Sequence, residues 1–191
     1  MTHALQQNPD SLFPKDLLET AESEETRERT WRIAHTKSRR EKKLASFLVR
    51  EGIAYYLPLI LRRQPGQKRV RLSLVPVFSG YVFFKASDFE RYQAMCSSQI
   101  ARVIGVPDQG GLVRELKQIK AVIDTEAHVY PHHYLEQGQE VRVVSGPFKG
   151  VEGIIDRRKG ENRLVLRVTS LFQAVAVDVS ADMVEPVGRV F

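Results

Sequence analysis

The stretch Gly138-Gln139-Glu140-Val141-Arg142-Val143-Val144-Ser145-Gly146-Pro147-Phe148-Lys149-Gly150-Val151-Glu152-Gly153 decides how the second half of this chain folds. Val141 and Val143 alternate with Glu140 and Arg142, the period-two pattern of a half-buried strand. Gly146-Pro147 then turns the chain, and Gly146 and Gly150 flank Phe148 where a tight turn demands positive φ. Short alternating segments at 140–144, 151–157, 163–169, 173–179 and 182–185 follow one another, parted by Gly146-Pro147, Gly160-Glu161-Asn162 and Ser180. Five short strands in succession predict a small barrel, which removes free sheet edges by closing on itself. Its β-branched residues, Val175 and Val177 among them, favour a stable barrel over a helical alternative.

Upstream, the periodicity changes. Trp31-Arg32-Ile33-Ala34-His35 alternates as a strand. Ser38 and Glu41 have the spacing of a capping box, Leu44, Phe47 and Leu48 follow at helical spacing, and Gly52 ends that helix. Residues 53–61 read as a strand, and Arg62-Arg63-Gln64-Pro65-Gly66-Gln67-Lys68 as a basic turn. Val70, Leu72 and Leu74 form a strand with one wet face, and Gly80 to Lys85 is apolar enough to be central. Asp88 starts a helix to Met95, Ile100–Val106 is a strand, and Val113–Glu126 is a helix with Leu116, Ile119, Val122 and Ile123 on one face. The expected fold class is therefore α+β: an N-terminal antiparallel sheet flanked by helices, followed by a five-stranded β-barrel. Four segments follow: an acidic tail at 1–29, a first domain at 30–126, a linker at 127–136 and the barrel at 137–191. Leu12, Phe13, Leu17 and Leu18 are too few to build a core, so the tail is expected to be flexible, with a short helix around 15–25.

The chain has 191 residues and a net charge of +6, unevenly spread. Residues 1–29 carry 7 acids against 3 bases, residues 30–126 carry 8 against 18, and residues 127–191 carry 8 of each. A first domain this basic attracts polyanions, nucleic acid first among them. The neutral barrel favours a protein partner over bulk RNA. No apolar run is long enough for a membrane span and no secretory pattern opens the chain, so a cytoplasmic monomer is expected. Cys96 is the single cysteine, excludes an internal disulfide, and reads as a small apolar filler. No serine sits in a nucleophile elbow and no Gly-rich loop opens a helix. His128, His132 and His133 lack neighbouring cysteines. No catalytic residue, metal or cofactor is expected.

Several stretches together resemble the NusG family, in family order over about residues 30–187. These are Trp31 with Thr36-Lys37-Ser38-Arg39-Arg40-Glu41, then Tyr56-Leu57-Pro58-Leu59, and then Val75-Pro76-Val77-Phe78-Ser79-Gly80-Tyr81-Val82-Phe83, which is similar to an F-P-G-Y-V signature. Arg102-Val103-Ile104-Gly105 and the quoted stretch 138–153, which has the KOW pattern, complete the series with Leu171-Phe172. Ser79 stands where the family usually has proline, which predicts a looser turn, and Gln173-Ala174 stands where it often has Gly-Arg. The basic stretch 37–43 and the tail are more similar to specialised paralogues than to the general factor.

The resemblance implies a transcription elongation factor that suppresses pausing and modulates termination or antitermination. Its first domain would dock on the clamp helices of RNA polymerase through an apolar patch drawing on His35, Phe78, Tyr81 and Phe83, with Tyr92 in a segment that meets the polymerase elsewhere. Lys37, Arg39, Arg40, Lys42 and Lys43, with Arg62 and Arg63 of the hairpin, would contact non-template DNA or nascent RNA near the upstream fork. Those cations at a helix N-terminus oppose the helix dipole, which points to a role other than helix stability. Phe148 and Phe172 would bind a partner such as NusE or Rho. The runner-up is a ribosome-associated KOW protein that binds RNA and never touches polymerase; an enzyme comes third.

Overall fold

The computed structural model describes residues 9–20, 28–64, 71–125, 127, 129–132, 138–158 and 161–187. The chain divides into two compact units, residues 1–109 and 110–191. The acidic run Glu22, Glu24 and Glu25, the hairpin tip with Pro65 and Gly66, and His128 and His133 lie outside the described residues.

In the first unit a five-stranded antiparallel sheet has the order β1-β3-β6-β2-β7. These strands are Leu12–Phe13 (β1), Thr30–Thr36 (β2), Ala54–Tyr56 (β3), Tyr81–Ala86 (β6) and Ile100–Gly105 (β7). Leu59–Gln64 (β4) and Arg71–Pro76 (β5) pair separately as a two-stranded ribbon. Helix α1, Glu41–Arg50, lays Leu44, Ala45 and Leu48 into a core with Ala34, Tyr55, Val82 and Phe84. Gly52, at φ +70, lets the backbone close this helix with bonds from Gly52 N to Val49 O and from Ile53 N to Leu48 O. On the opposite sheet face the register lines up Leu12, Tyr56, Phe83, Ile33 and Ile104 in one apolar row across all five strands.

Residues 9–20 correct the expectation of a flexible tail. Leu12 and Phe13 pair with Tyr56 and Tyr55, the Leu57 amide donates to Ser11 O at 2.7 Å, and Tyr55 Oη donates to Asp10 O at 2.6 Å. Leu12, Leu17 and Leu18 are buried, and Phe13 stacks on Tyr55. Three leucines build no core of their own, but a sheet edge that is already apolar gives them one. Of the expected helix around 15–25, residues 15–19 form a turn, and residues 21–25 lie outside the described residues.

Two helix starts differ from expectation. Ser38 makes no cap for α1, whose N-cap is Arg40 without a side-chain bond. A capping box does form at helix α2, Asp88–Cys96, between Ser87 and Glu90. Helix α3, Gln109–Ile123, starts four residues before Val113, because the Gln109 side chain bonds Trp31 N, Trp31 O and Val106 O and so fixes a start that Gly110-Gly111 would not favour.

The second unit contains the five expected strands: Gln139–Val143 (β9), Glu152–Arg158 (β10), Glu161–Val168 (β11), Gln173–Val179 (β12) and Val184–Pro186 (β13). A sixth, Tyr130–His132 (β8), pairs with β12, so part of the expected linker is strand. The order is β13-β9-β10-β11-β12-β8. Leu164, Val165 and Leu166 are buried in succession, so β11 is covered on both faces and does not show the alternation of a half-wet strand. All of α3 but its first residue belongs to this unit, whereas the sequence pattern groups that helix with the first domain. Glu115 of α3 accepts from Thr169 N at 3.1 Å and Thr169 Oγ1 at 2.5 Å, which is why the helix goes with the barrel.

Candidate functional site

The loop that joins β2 to α1 is built by hydrogen bonds the sequence pattern does not foretell. Glu41 is buried, and its Oε1 accepts from Gly80 N at 2.7 Å. Gly80 O accepts in turn from Thr36 N at 2.8 Å. Both backbone groups of Gly80 are therefore held, and the turn at Ser79-Gly80 is pinned rather than loosened by the missing proline. Gly80 itself sits at φ +84, where a side chain would be strained. The same carboxylate fixes the start of α1 beside the start of β6.

That arrangement places His35 and Tyr81 opposite each other, with ring centroids 5.1 Å apart and both side chains half-buried. Phe78 and Phe83 are not part of an exposed patch. Phe83 is fully buried, and Phe78 packs edge-on against it with centroids 5.9 Å apart. The expected four-residue patch is reduced to the His35–Tyr81 pair, because Phe83 lies in the middle of the cross-strand row. Tyr92 is 64% exposed, and Phe89 and Met95 join it on the same face of α2 at i−3 and i+3.

Lys37, Arg39, Arg40 and Lys43 are exposed around the start of α1. Arg39 is held at φ 57, a left-handed conformation that costs a non-glycine residue about 1 kcal/mol. Lys42 is turned inward and donates to Leu74 O at 2.6 Å, tying α1 to β5; burial lowers its pKa against the opposing pull of Glu41. It is a structural lysine, contrary to the sequence reading. Arg62 is exposed on the ribbon.

Beside these cations a cavity of about 490 Å³ opens between α1 and the end of α2, lined by Lys43, Phe47, Arg50, Ser97 and Gln99 among others. Cys96 also lines it and is exposed, so it is not the apolar filler expected. Lys43, Phe47 and Arg50 recur at i, i+4 and i+7, a spacing that marks one helix face. That spacing is legible in the sequence, whereas the parts of the cavity contributed by Pro9 and Gln99 are not.

In the second unit Gly146 and Gly150 adopt φ +78 and +89, as the turn requires. Phe148 between them is buried and serves the barrel core, which removes it from the expected partner surface. Phe172 is 72% exposed, at φ 53, immediately after the 3-10 turn Thr169–Leu171. A bulky aromatic exposed on a strained backbone position is a feature found at binding sites. Among the described residues no group of three or more acidic, histidine or cysteine side chains could hold a metal ion. No helix there is long and apolar enough to cross a membrane.

The family model described as transcription termination factor nusG matches residues 29–129, and that of the KOW motif matches residues 137–170. The chain belongs to the NusG family. The NusG match takes in α3, which the compact units place with the barrel, and it begins after the described N-terminal segment. No curated protein matches the chain significantly. Together the two matches support a NusG-like transcription factor.

Proposed function

We propose that this NusG-family chain is an elongation factor that docks on RNA polymerase through His35 and Tyr81, suppresses pausing and modulates termination or antitermination. The observation that carries this reading is one geometry: a half-exposed aromatic pair where β2 ends and β6 begins, followed along the chain by the exposed cations Lys37, Arg39, Arg40 and Lys43. Aromatic side chains on a rigid strand end lose little entropy on binding and make hot spots. Polymerase offers both an apolar docking surface and, close by, nucleic-acid phosphates for Lys37, Arg39, Arg40 and Lys43. A factor that prefers the closed polymerase clamp to the open one shifts it toward the processive form. Phe172 supports a second function, recruitment of a protein such as NusE or Rho to the barrel.

The test is capture of RNA polymerase core by the full-length chain, wild type beside His35→Ala/Tyr81→Ala, with folding checked by circular dichroism. Losing an aromatic hot spot weakens binding by roughly 30-fold, or ~2 kcal/mol. A folded double variant that binds as well as wild type removes the pair from the interface. A wild-type chain that captures no polymerase, yet binds structured RNA with a steep salt dependence, turns the reading toward a ribosome-associated protein.

A further inference from the structure

Glu41 is a carboxylate where the helix pattern calls for an apolar side chain. It lies on the buried face of α1 with Leu44, Ala45 and Leu48, at helical spacing, and is only 8% exposed. A buried carboxylate costs stability unless it is hydrogen-bonded, so one kept there has a partner to hold. That partner is the Gly80 amide, which donates to Glu41 Oε1 at 2.7 Å. As the first residue of α1, Glu41 also stands where the helix dipole favours negative charge, and a charged acceptor strengthens the bond.

Gly80 stands between the two halves of the docking pair. Tyr81 follows it directly as the first residue of β6. Gly80 O accepts from Thr36 N at 2.8 Å, one residue after His35. The His35 ring lies against the glycine itself, since a carbon built at the Gly80 Cβ position would be 3.7 Å from His35 Cδ2. This strand end needs support, because the register of β2 against β7 shifts between His35 and Thr36. Such an irregularity disrupts the ladder and re-aims the side chains beside it, so their direction depends on what else holds the backbone. Here the hold comes from α1, through the Glu41 carboxylate.

We infer that Glu41 is a positioning residue: through Gly80 its carboxylate sets how His35 and Tyr81 are presented to polymerase. The inference rests on the docking role proposed for that pair. Glu41 is buried and acts through the glycine, not by contact with the partner. Its effect is also separable from charge. Removing an anion next in the chain to Lys37, Arg39 and Arg40 leaves their attraction for phosphate undiminished, so a loss of affinity reports the lost bond.

The test is the affinity of RNA polymerase core for the full-length chain, measured by surface plasmon resonance, with folding checked by circular dichroism. Glu41→Ala is expected to weaken binding about tenfold. Glu41→Gln loses the charge but keeps an acceptor oxygen, and is expected to bind within about threefold of wild type. Added to His35→Ala/Tyr81→Ala, the Glu41→Ala change is expected to cost less than about twofold, because nothing is left to position. A folded Glu41→Ala chain that binds as wild type does overturns the inference. So does an equal loss in the two backgrounds, which marks a purely structural residue, or a Glu41→Gln loss as large as that of Glu41→Ala. If Glu41→Ala does not fold, Glu41→Asp takes its place: it keeps the charge, withdraws the acceptor by one methylene, and is judged by the same outcomes. If His35→Ala/Tyr81→Ala alone binds as wild type does, or wild type captures no polymerase, the docking reading itself fails and the inference falls with it.

Discussion

Glu41 shows how a residue can be placed correctly and assigned the wrong task. Its spacing from Ser38 is that of a capping box, but the helix begins one residue after Arg40 and the carboxylate reaches Gly80 instead. Local spacing cannot show that a backbone amide from another strand is the better donor. Tyr55 is a comparable case on the opposite flank. Burial, with Asp10 as the second cause, pushes its hydroxyl up to about 12 from 10.0. The phenol therefore keeps its proton in the folded chain where the unfolded chain has lost it. Its contribution is complete below the unfolded value and is lost as pH rises through the folded one. Between pH 9 and 11 the wild type should lose about 1 kcal/mol more stability than Tyr55→Phe, measured by urea unfolding at each pH. Equal losses in the two proteins would show that this hydroxyl is not held by the fold.

At the scale of elements, the segment 9–20, which carries β1, is the one the sequence hid most completely. Its residues are acidic on average and its apolar positions have no period, so nothing in the chain marks it as structured. It folds because the edge of β3 offers unpaired backbone groups and an apolar row ending at Tyr56. Leu18 is fully buried within it. Leu18→Ala should cost roughly 2–5 kcal/mol of unfolding free energy in urea titration. A change within ~0.5 kcal/mol, typical of surface positions, would mean that the segment is not part of the cooperative unit. α1, by contrast, was readable from periodicity and its end from Gly52, whereas α2 was expected only from Asp88 and its Ser87–Glu90 box came from the structure. β8 escaped detection because three residues give no period, and its pairing with β12 depends on where the chain returns.

The molecule as a whole divides its labours by charge. Its basic excess lies in residues 30–126, where the cations surround the start of α1, and the barrel is neutral and presents Phe172. The described residues of the barrel segment, 139–158 and 161–186, form strands, turns and short 3-10 turns. Backbone NMR shifts of the free protein should therefore be strand-like through β9 to β12, and helical shifts there would show a second fold. The binding of Thr169 by Glu115 joins α3 to the turn that precedes Phe172. Helix and turn are thus one piece of structure.

The sequence by itself determined the class of fold, the order of its main elements, the glycine turns of the barrel and the sign of charge on each part. These follow from local periodicity and backbone sterics, which act within a few residues. Only the tertiary structure decided which aromatics face solvent, that Lys42 and Glu41 are structural, that Cys96 is exposed, and that residues 9–20 belong to the sheet. Each of those depends on what a distant strand or helix brings into contact, and burial is a property of that meeting rather than of the residue.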